Sequence, residues 1–341
     1  MEKQTVIIAA WICVLTLVPC CVTAAKNILF LVADDMRPEI GAYIGPDFPS
    51  PVHPSIHTPN LDKLASRSLL LKQAYVQQAL CGPSRSSLLT GRRPDTTHVY
   101  DLSTYWRESG GNFTTIPQFF KEQGYVTQGM GKIFHPGASS HDDDPISWTE
   151  PYFHGIDYNI YDDHRSWAAI PKNLTDRYPL VDQQIAKRAI EALRNMSTTA
   201  VRRGQPFFLA VGFHRPHLPF QFPDEYLKYY PMDDIRLPPN AYVPKNFPPI
   251  AWNRCEGLAT KKDIKRTKST LKFNTTVPDQ TAKELRRAYY SSISYTDGLI
   301  GSVLQELEVL GLGNDTIISF WGDHVWQLGK RITYWSYTTC T

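Results

Sequence analysis

The sequence predicts an α/β fold with a central, mostly parallel β-sheet flanked by helices. Short apolar runs, typical of strands buried on both faces, alternate along the chain with amphipathic segments of helical period. Two of these runs end directly in acidic residues, and the carboxyl ends of parallel strands are where functional side chains gather. This alternation favours a sandwich with helices on both faces of one sheet.

The elements follow in chain order. The predicted strands are 27–33, 125–130, 206–212 and 316–321, and the predicted helices are 60–74, 116–122, 181–200 and 281–310. The first helix begins after Thr58-Pro59, an N-cap residue followed by a proline, and the last is stopped by Gly311. Two long proline-rich loops, 136–179 and 216–249, are of the kind that often carries function.

The composition is that of a globular protein. The chain has 341 residues, of which 42% are hydrophobic and 20% charged. Its formal net charge of +3 is too small to indicate a nucleic-acid partner. A basic stretch from Lys261 to Lys272 is typical of a solvated loop, and the alternative is a contact with an acidic polymer.

Residues 1–25 have the features of a secretory signal peptide. Lys3 precedes an apolar run of about 13 residues, and small residues before Ala25 suit cleavage. A membrane anchor is the alternative, but the run is shorter than the roughly 20 residues that span a bilayer, and we expect no later span. Five sequons for N-glycosylation follow, at Asn112, Asn173, Asn195, Asn274 and Asn314. We therefore expect a glycoprotein of the secretory pathway.

Three cysteines remain after the leader, namely Cys81, Cys255 and Cys340, and an odd number in an exported protein indicates a thiol with another fate. The segment from Cys81 to Arg92 reads Cys-Gly-Pro-Ser-Arg-Ser-Ser-Leu-Leu-Thr-Gly-Arg. It resembles the signature of type I sulfatases, Cys-X-Pro-Ser-Arg followed by Thr-Gly-Arg. Considered alone, Cys81 would be interpreted as a small buried hydrophobic residue or a disulfide partner.

The resemblance implies an alkaline-phosphatase-like fold and a Cys81 that the formylglycine-generating enzyme oxidises to formylglycine. The chemistry suits sulfate esters, whose oxygens repel an incoming nucleophile. A hydrated aldehyde has one hydroxyl that attacks sulfur and a second that later expels the sulfate, so that one difficult displacement becomes two easier steps. A serine would lack the second hydroxyl. A cation is needed to keep the hydrate ionised and to neutralise the sulfate oxygens.

Acidic residues after two separate strands offer oxygen ligands for such a cation. Asp34 and Asp35 follow the first predicted strand, and Asp323 and His324 follow the last. A carboxylate-rich set favours Ca²⁺ or Mg²⁺ over Zn²⁺, whereas a lone acidic pair is more often a turn at a strand end. The resemblance implies that these residues and the modified Cys81 form the metal site, and that the metal is Ca²⁺.

Cationic side chains are expected around the sulfate. Arg85 lies one helical turn past the signature cysteine, where it could hold the modified side chain ionised. Lys132 and His135 belong to a Gly-Lys-X-X-His segment, which in the family contacts the sulfate and the formylglycine. His214 belongs to a segment that in the family contacts the sulfate and protonates the leaving alcohol, and His217 follows it. Each histidine considered alone would more often be structural.

The likeness runs from about Asn27 to about Gly329. It is strongest to family members that remove the 2-sulfate of iduronate in heparan and dermatan sulfate, in the stretches 90–97, 111–118, 131–137 and 207–214. It implies a sulfated glycosaminoglycan substrate and a lysosomal location, with an extracellular one as the alternative.

The family pattern stops after Gly329. We expect residues 26–329 to form the catalytic domain, residues 330–341 to be unrelated to the family, and the C-terminal subdomain to be missing. Val325 replaces a glycine beside a metal ligand, and a sulfate-binding lysine that follows in the family is absent. Two alternatives therefore stay open, a non-catalytic chain that only binds sulfated glycan and a related phosphate or phosphonate ester hydrolase.

Overall fold

The computed structural model describes residues 25–45, 55–159, 161, 164–237, 245–246, 248, 256–267, 277–326 and 337–338. The predicted leader, apart from Ala25, lies outside these residues, as do Cys255 and Cys340. Within the described ranges, no helix combines the length and the apolar character needed to cross a membrane.

The strands confirm the predicted central sheet. They are β1 (Asn27–Ala33), β2 (Val126–Gly131), β3 (Trp167–Ile170), β4 (Phe207–Phe213), β5 (Phe220–Pro223), β6 (Thr316–Gly322), β7 (Val325–Trp326) and β8 (Tyr337–Thr338). Four of them form one sheet in the order β2-β4-β1-β6, and all three pairings are parallel. The buried central strands β1 and β4 are apolar along nearly their whole length, as parallel strands covered on both faces must be.

Helices cover both faces of this sheet. They are α1 (Pro59–Ala65), α2 (Cys81–Thr90), α3 (Pro94–Thr97), α4 (Trp106–Ser109), α5 (Ile116–Glu122), α6 (Lys172–Arg177), α7 (Val181–Thr199), α8 (Glu256–Ala259), α9 (Lys262–Arg266) and α10 (Asp279–Val309). Leu29 and Leu31 of β1 share a core with α7 and α10. Phe30 and Val32 point to the other face and share a second core with α2 and α5. The predicted α/β sandwich is confirmed.

One predicted helix was too long. The periodicity suggested that 60–74 is helical with Leu61, Leu64, Ser68 and Leu71 on one face, but α1 ends at Ala65. Leu61 and Leu64 are buried, whereas Leu71 is 59% exposed. The hydroxyls of Ser66 and Ser68 donate to the carbonyls of the last turn, an alternative to continued helix that serine favours.

The two proline-rich loops contain short elements of their own. The first holds β3 and α6, and the described part of the second holds β5. β3 and β5 pair in parallel as a small second sheet. β7 begins directly after Asp323 and His324, which follow β6. It pairs antiparallel with β8, and β8 lies in the segment 330–341 that we expect to be unrelated to the family.

Candidate active site

The acidic residues meet because β1 and β6 are neighbours in register. Ala33 lies beside Gly322, so the residues that follow each strand emerge at the same edge of the sheet. The backbone N–H of Asp35 donates to Asp323 Oδ1 at 3.0 Å, and Asp34, Asp35, Asp323 and His324 are all buried. Two acidic segments almost 290 residues apart in sequence thus form one cluster, as predicted.

Cys81 lies at the first turn of α2, with its side chain against this cluster. Its Sγ is 2.9 Å from His324 Nε2, 3.4 Å from Lys132 Nζ and 3.7 Å from Asp34 Oδ1. Burial, and then the charge of Asp34, raise the pKa of the thiol. One ligand atom each from Asp34, Cys81, Asp323 and His324 lies within 4.8 Å of the others, a separation that one metal ion can bridge.

Arg85 joins the ends of three strands. Its Nη2 donates to Asp34 Oδ1 and its Nε to Asp323 Oδ2, both at 2.9 Å, while Nη1 donates to the carbonyls of Lys132 and Ile133. Burial alone would lower its pKa, but Asp323 and Asp34 raise it above the ordinary value. Arg85 is therefore a fixed positive charge in the interior, held by two carboxylates.

Lys132 follows β2 and adds a second buried cation. Its ammonium donates to Asp34 Oδ2. Although burial alone would lower the pKa of Lys132, Asp34 raises it overall. In return Lys132 and Arg85 overcome the effect of burial on Asp34 and hold the pKa of that carboxyl well below its ordinary value. The pairing thus favours the ionised carboxylate of Asp34 and the charged ammonium of Lys132.

The surroundings of Asp35 fit a bound cation. Its backbone has a φ of 63°, and its buried Oδ2 accepts no hydrogen bond from the described residues. Oδ1 is paired with His324 Nδ1 at 2.8 Å. Burial raises the pKa of Asp35 to about 7, while Asp323 and Asp35 raise the pKa of His324 despite its burial. A buried carboxylate oxygen without a donor, next to ligand-type side chains, fits a hard cation.

The predicted histidines border the cluster. His135 Nδ1 lies 2.9 Å from Ser139 Oγ, and burial, Lys132 and Arg85 lower its pKa to about 4. Burial, Lys132 and Arg215 lower the pKa of His214 to about 3. His217 Nε2 lies 3.8 Å from Asp35 Oδ2, and burial and Lys132 lower its pKa to about 3. The structure thus gathers the predicted residues at one edge of the sheet.

This arrangement agrees with comparisons to known proteins. The model of the Sulfatase family matches residues 26–339, nearly the whole chain. The chain belongs to the sulfatase family. It is 42% identical over 322 residues to iduronate 2-sulfatase of Mus musculus and 41% identical over 323 residues to that of Homo sapiens, in each case over 91% of this chain. The solved structure of a 2-O GAG sulfatase superposes with a TM-score of 0.62 at 20% identity, over 91% of this chain and 60% of that one.

The chain is shorter than these sulfatases. It spans 56% of the length of both iduronate 2-sulfatases. The fold and the family are therefore established, while the activity of these longer relatives is a proposal for this chain.

Two residues at this sulfatase site carry no signal in the sequence. The buried carboxylate of Asp182, in the first turn of α7, accepts the backbone N–H of His214 at 2.7 Å and of Arg215 at 2.9 Å. Tyr289 of α10 donates its hydroxyl to the carbonyl of Asp35 at 2.6 Å. Asp182 resembles an ordinary acidic residue near a helix start, and Tyr289 an ordinary core residue, because both contacts depend on tertiary packing.

Proposed function

We propose that this protein is a sulfuric-ester hydrolase that acts through a formylglycine made from Cys81. The observation that carries the proposal is the position of Cys81 Sγ, which lies within 3.7 Å of Asp34, Lys132 and His324. A thiol buried among charged groups is poorly suited to a structural role in an apolar core. The thiol stands where the oxidised side chain would lie.

The residues fit one divalent cation, and we assign Asp34, Asp35, Asp323, His324 and the modified Cys81 as its ligands, with Ca²⁺ as the metal. The donors are mainly carboxylate oxygens, which Ca²⁺ prefers. When bound, the cation supplies positive charge that neutralises the sulfate oxygens and keeps the modified side chain ionised. The buried Asp35 Oδ2, which accepts no hydrogen bond from the described residues, supports this assignment.

The remaining side chains bind and orient the ester. Lys132 presents a fixed ammonium to the sulfate, and Arg85 holds Asp34 and Asp323 in place. Burial and the neighbouring cations lower the pKa of His135 to about 4 and that of His214 to about 3, which favours the neutral imidazoles. A bound sulfate brings negative charge, which raises the pKa of a neighbouring histidine. Substrate binding thus prepares His214 to protonate the leaving alcohol and leaves His135 to contact the sulfate.

The substrate we propose is the 2-sulfate of iduronate in heparan and dermatan sulfate. The identity of 41–42% to iduronate 2-sulfatases supports this choice. We further propose that the protein enters the secretory pathway, meets the formylglycine-generating enzyme there and reaches the lysosome. The four sequon asparagines that the structure describes, Asn112, Asn173, Asn195 and Asn314, are all exposed, as glycosylation in that pathway requires.

Two measurements on the secreted protein test the proposal. Mass spectrometry of the Cys81 peptide should show the aldehyde, and the protein should hydrolyse 4-methylumbelliferyl iduronate 2-sulfate. Cys81→Ala should abolish turnover, whereas Lys187→Gln, on the exposed face of α7, should retain it. An intact aldehyde without turnover would leave a chain that only binds sulfated glycan. A preference for aryl phosphate over aryl sulfate would indicate a phosphate or phosphonate ester hydrolase instead.

A further inference from the structure

The unmodified thiol of Cys81 gives the acidic cluster a second set of donor atoms, which is that of a zinc site. Cys81 Sγ lies 2.9 Å from His324 Nε2 and 3.7 Å from Asp34 Oδ1. The same Nε2 lies 3.6 Å from Asp323 Oδ2. In a tetrahedral zinc site, with Zn–S bonds of about 2.3 Å and Zn–N and Zn–O bonds of about 2.0 to 2.2 Å, neighbouring donor atoms lie roughly 3–4 Å apart. The donor atoms of these four residues therefore have separations close to those of such a site.

The imidazole of His324 is held as that of a zinc-binding histidine is. Its Nδ1 lies 2.8 Å from Asp35 Oδ1, and its Nε2 faces Cys81 and Asp323. A histidine that binds a metal almost always donates its other ring N–H to a carboxylate or a carbonyl, which fixes the tautomer and leaves the first nitrogen for the metal. Asp35 can thus orient His324 without binding the zinc itself.

The carboxylates of Asp34 and Asp323 keep lone pairs for a metal, although cationic side chains already bond them. Arg85 donates to Asp34 Oδ1 and to Asp323 Oδ2. Lys132 donates to Asp34 Oδ2. A carboxylate has about four lone-pair sites, so these bonds fix the positions of the oxygens without using all of the sites.

The charges of the cluster also match one divalent cation once the thiol is ionised. In the described part of the chain, the buried anionic groups of the cluster are Asp34, Asp35, Cys81 and Asp323, and its buried cations are Arg85 and Lys132. A histidine that binds a metal is neutral, so the cluster has two negative charges in excess. Buried charges are costly unless they are balanced, and one divalent ion balances these two.

We infer that the chain binds Zn²⁺ at this site as long as Cys81 is a thiol, with Cys81, His324, Asp34 and Asp323 as the ligands. Thiolate and imidazole favour Zn²⁺, whereas a set of oxygen donors favours Ca²⁺. The thiol loses its proton to the solvent when the sulfur binds the metal. The formylglycine of the proposed function has oxygen where Cys81 has sulfur, so the mature site would prefer Ca²⁺. The inference rests on the proposed function in this change of preference alone.

Cobalt is the probe of the zinc site, because Co²⁺ occupies such sites and its absorption spectrum reports the ligands. The full chain is produced without the formylglycine-generating enzyme, and mass spectrometry confirms that Cys81 is unmodified. Added Co²⁺ should give the near-ultraviolet band of a cobalt–thiolate bond and the visible bands of tetrahedral cobalt. Stoichiometric Zn²⁺ should abolish these bands, whereas excess Ca²⁺ should not, because Ca²⁺ is a poor partner for sulfur.

Two further samples identify the sulfur. Both Cys81→Ser and the converted protein lack the thiolate and should lack the near-ultraviolet band. The converted protein has the same sequence as the unconverted chain, so the comparison does not depend on how well the serine variant folds. The other cysteines are common to all three samples and cannot cause a difference between them.

The contact between Asp35 and His324 has a test of its own. Asp35→Asn tolerates the same left-handed backbone but weakens the hold on the imidazole. It should lower the affinity of the unconverted chain for Zn²⁺ about tenfold, measured by competition with a chromophoric chelator. Asp176→Asn, on exposed α6, is the control and should leave that affinity unchanged.

The outcomes separate this inference from the proposed function. A near-ultraviolet band that persists in Cys81→Ser would overturn the inference, because its sulfur would come from another cysteine. Displacement of cobalt by Ca²⁺ would also overturn it. If the converted protein hydrolyses the ester while the unconverted chain gives no thiolate band, this inference alone fails. If the band appears and the converted protein is inactive, the zinc site is upheld and the proposed function fails.

Discussion

Buried carboxylates determine the geometry of this site, and Asp182 is one that lies outside the metal cluster. Both of its oxygens accept a backbone N–H, from His214 and from Arg215. An asparagine can accept only one of these bonds and would direct its amide N–H₂ at the other donor. Asp182 is thus a positioning residue for His214.

Asp182→Asn should lower kcat about tenfold or more and destabilise the fold by about 1–3 kcal/mol, the cost of an unsatisfied buried donor. Because His214 shifts, the pH profile of kcat should also move, which a merely structural role would not cause. The control Asp176→Asn, on exposed α6, should change neither quantity. A variant with normal kcat and an unchanged pH profile would show that His214 is positioned without Asp182.

The buried carboxyl of Asp142 makes the free energy of unfolding depend on pH. It lies in a left-handed stretch after His135, with its Oδ2 3.1 Å from His154 Nε2, and burial raises its pKa to about 6. A carboxyl whose folded pKa exceeds its unfolded value binds more protons in the folded state. Its contribution to stability is therefore present below about pH 4 and is lost as the pH rises towards 6.

Asp142→Asn should remove this loss. Asparagine also tolerates the left-handed backbone. Relative to wild type, we expect the free energy of unfolding to increase by about 2 kcal/mol between pH 4 and pH 7, measured by urea denaturation. Asp234→Asn, at an exposed position, serves as the control and should give a difference that does not change with pH. A constant difference for Asp142→Asn as well would refute the assignment.

At the level of elements, the end of β2 depends on close contact between two glycines. Gly131 has a φ of 72°, and a Cβ placed on it would lie 1.9 Å from the carbonyl oxygen of Gly212 in β4. Lys132 follows directly, so this contact determines where the proposed sulfate-binding ammonium emerges from the sheet. No side chain fits at position 131 without separating β2 from β4.

Gly131→Ala should therefore cost several kcal/mol of stability and abolish turnover, through both the clash and the left-handed backbone. Gly204→Ala isolates the backbone contribution, because Gly204 has a φ of 74° with nothing within 4 Å of the added Cβ. It should cost only about 1 kcal/mol. Equal losses of melting temperature in the two variants would show that the contact with Gly212 is unimportant.

The sequence predicted elements best where burial on one or both faces imposed a regular pattern. On α10 the apolar residues at helical spacing, such as Leu285, Ile293 and Ile300, are all buried. The predicted length of α1 was wrong because apolar residues continue at helical spacing beyond Ser66 and Ser68, whose hydroxyls bond the last turn of the helix. That Asp34 and Asp323 lie close together could be predicted, because both residues follow the ends of apolar strands. The hydrogen bonds by which Asp182 holds His214 and Tyr289 holds Asp35 could not be predicted, because they arise only from tertiary packing.

On the scale of the whole molecule, the proposed metal site would couple cation binding to folding. Its ligands come from the ends of β1 and β6 and from α2, so an unfolded chain cannot present them together. The three buried aspartates also repel one another, and a cation removes that repulsion.

Added Ca²⁺ should therefore raise the melting temperature. At a concentration about a thousand times the dissociation constant, the stabilisation is about 4 kcal/mol, and a chelator should reverse it. Sodium chloride of equal ionic strength is the control, since screening of surface charges alone gives a smaller change. A melting temperature that responds equally to both salts would exclude a specific divalent cation.

The burial of Cys81 also imposes an order of events during synthesis. The thiol is only 4% exposed once β6 has placed His324 beside it. The enzyme proposed to oxidise Cys81 must therefore act while the chain is still open. About 240 residues separate Cys81 from Asp323. At about 5–20 residues per second, the ribosome needs roughly 10 to 50 seconds to produce them. The interval between translation of Cys81 and burial of its thiol among the charged side chains is therefore the time available for the proposed oxidation.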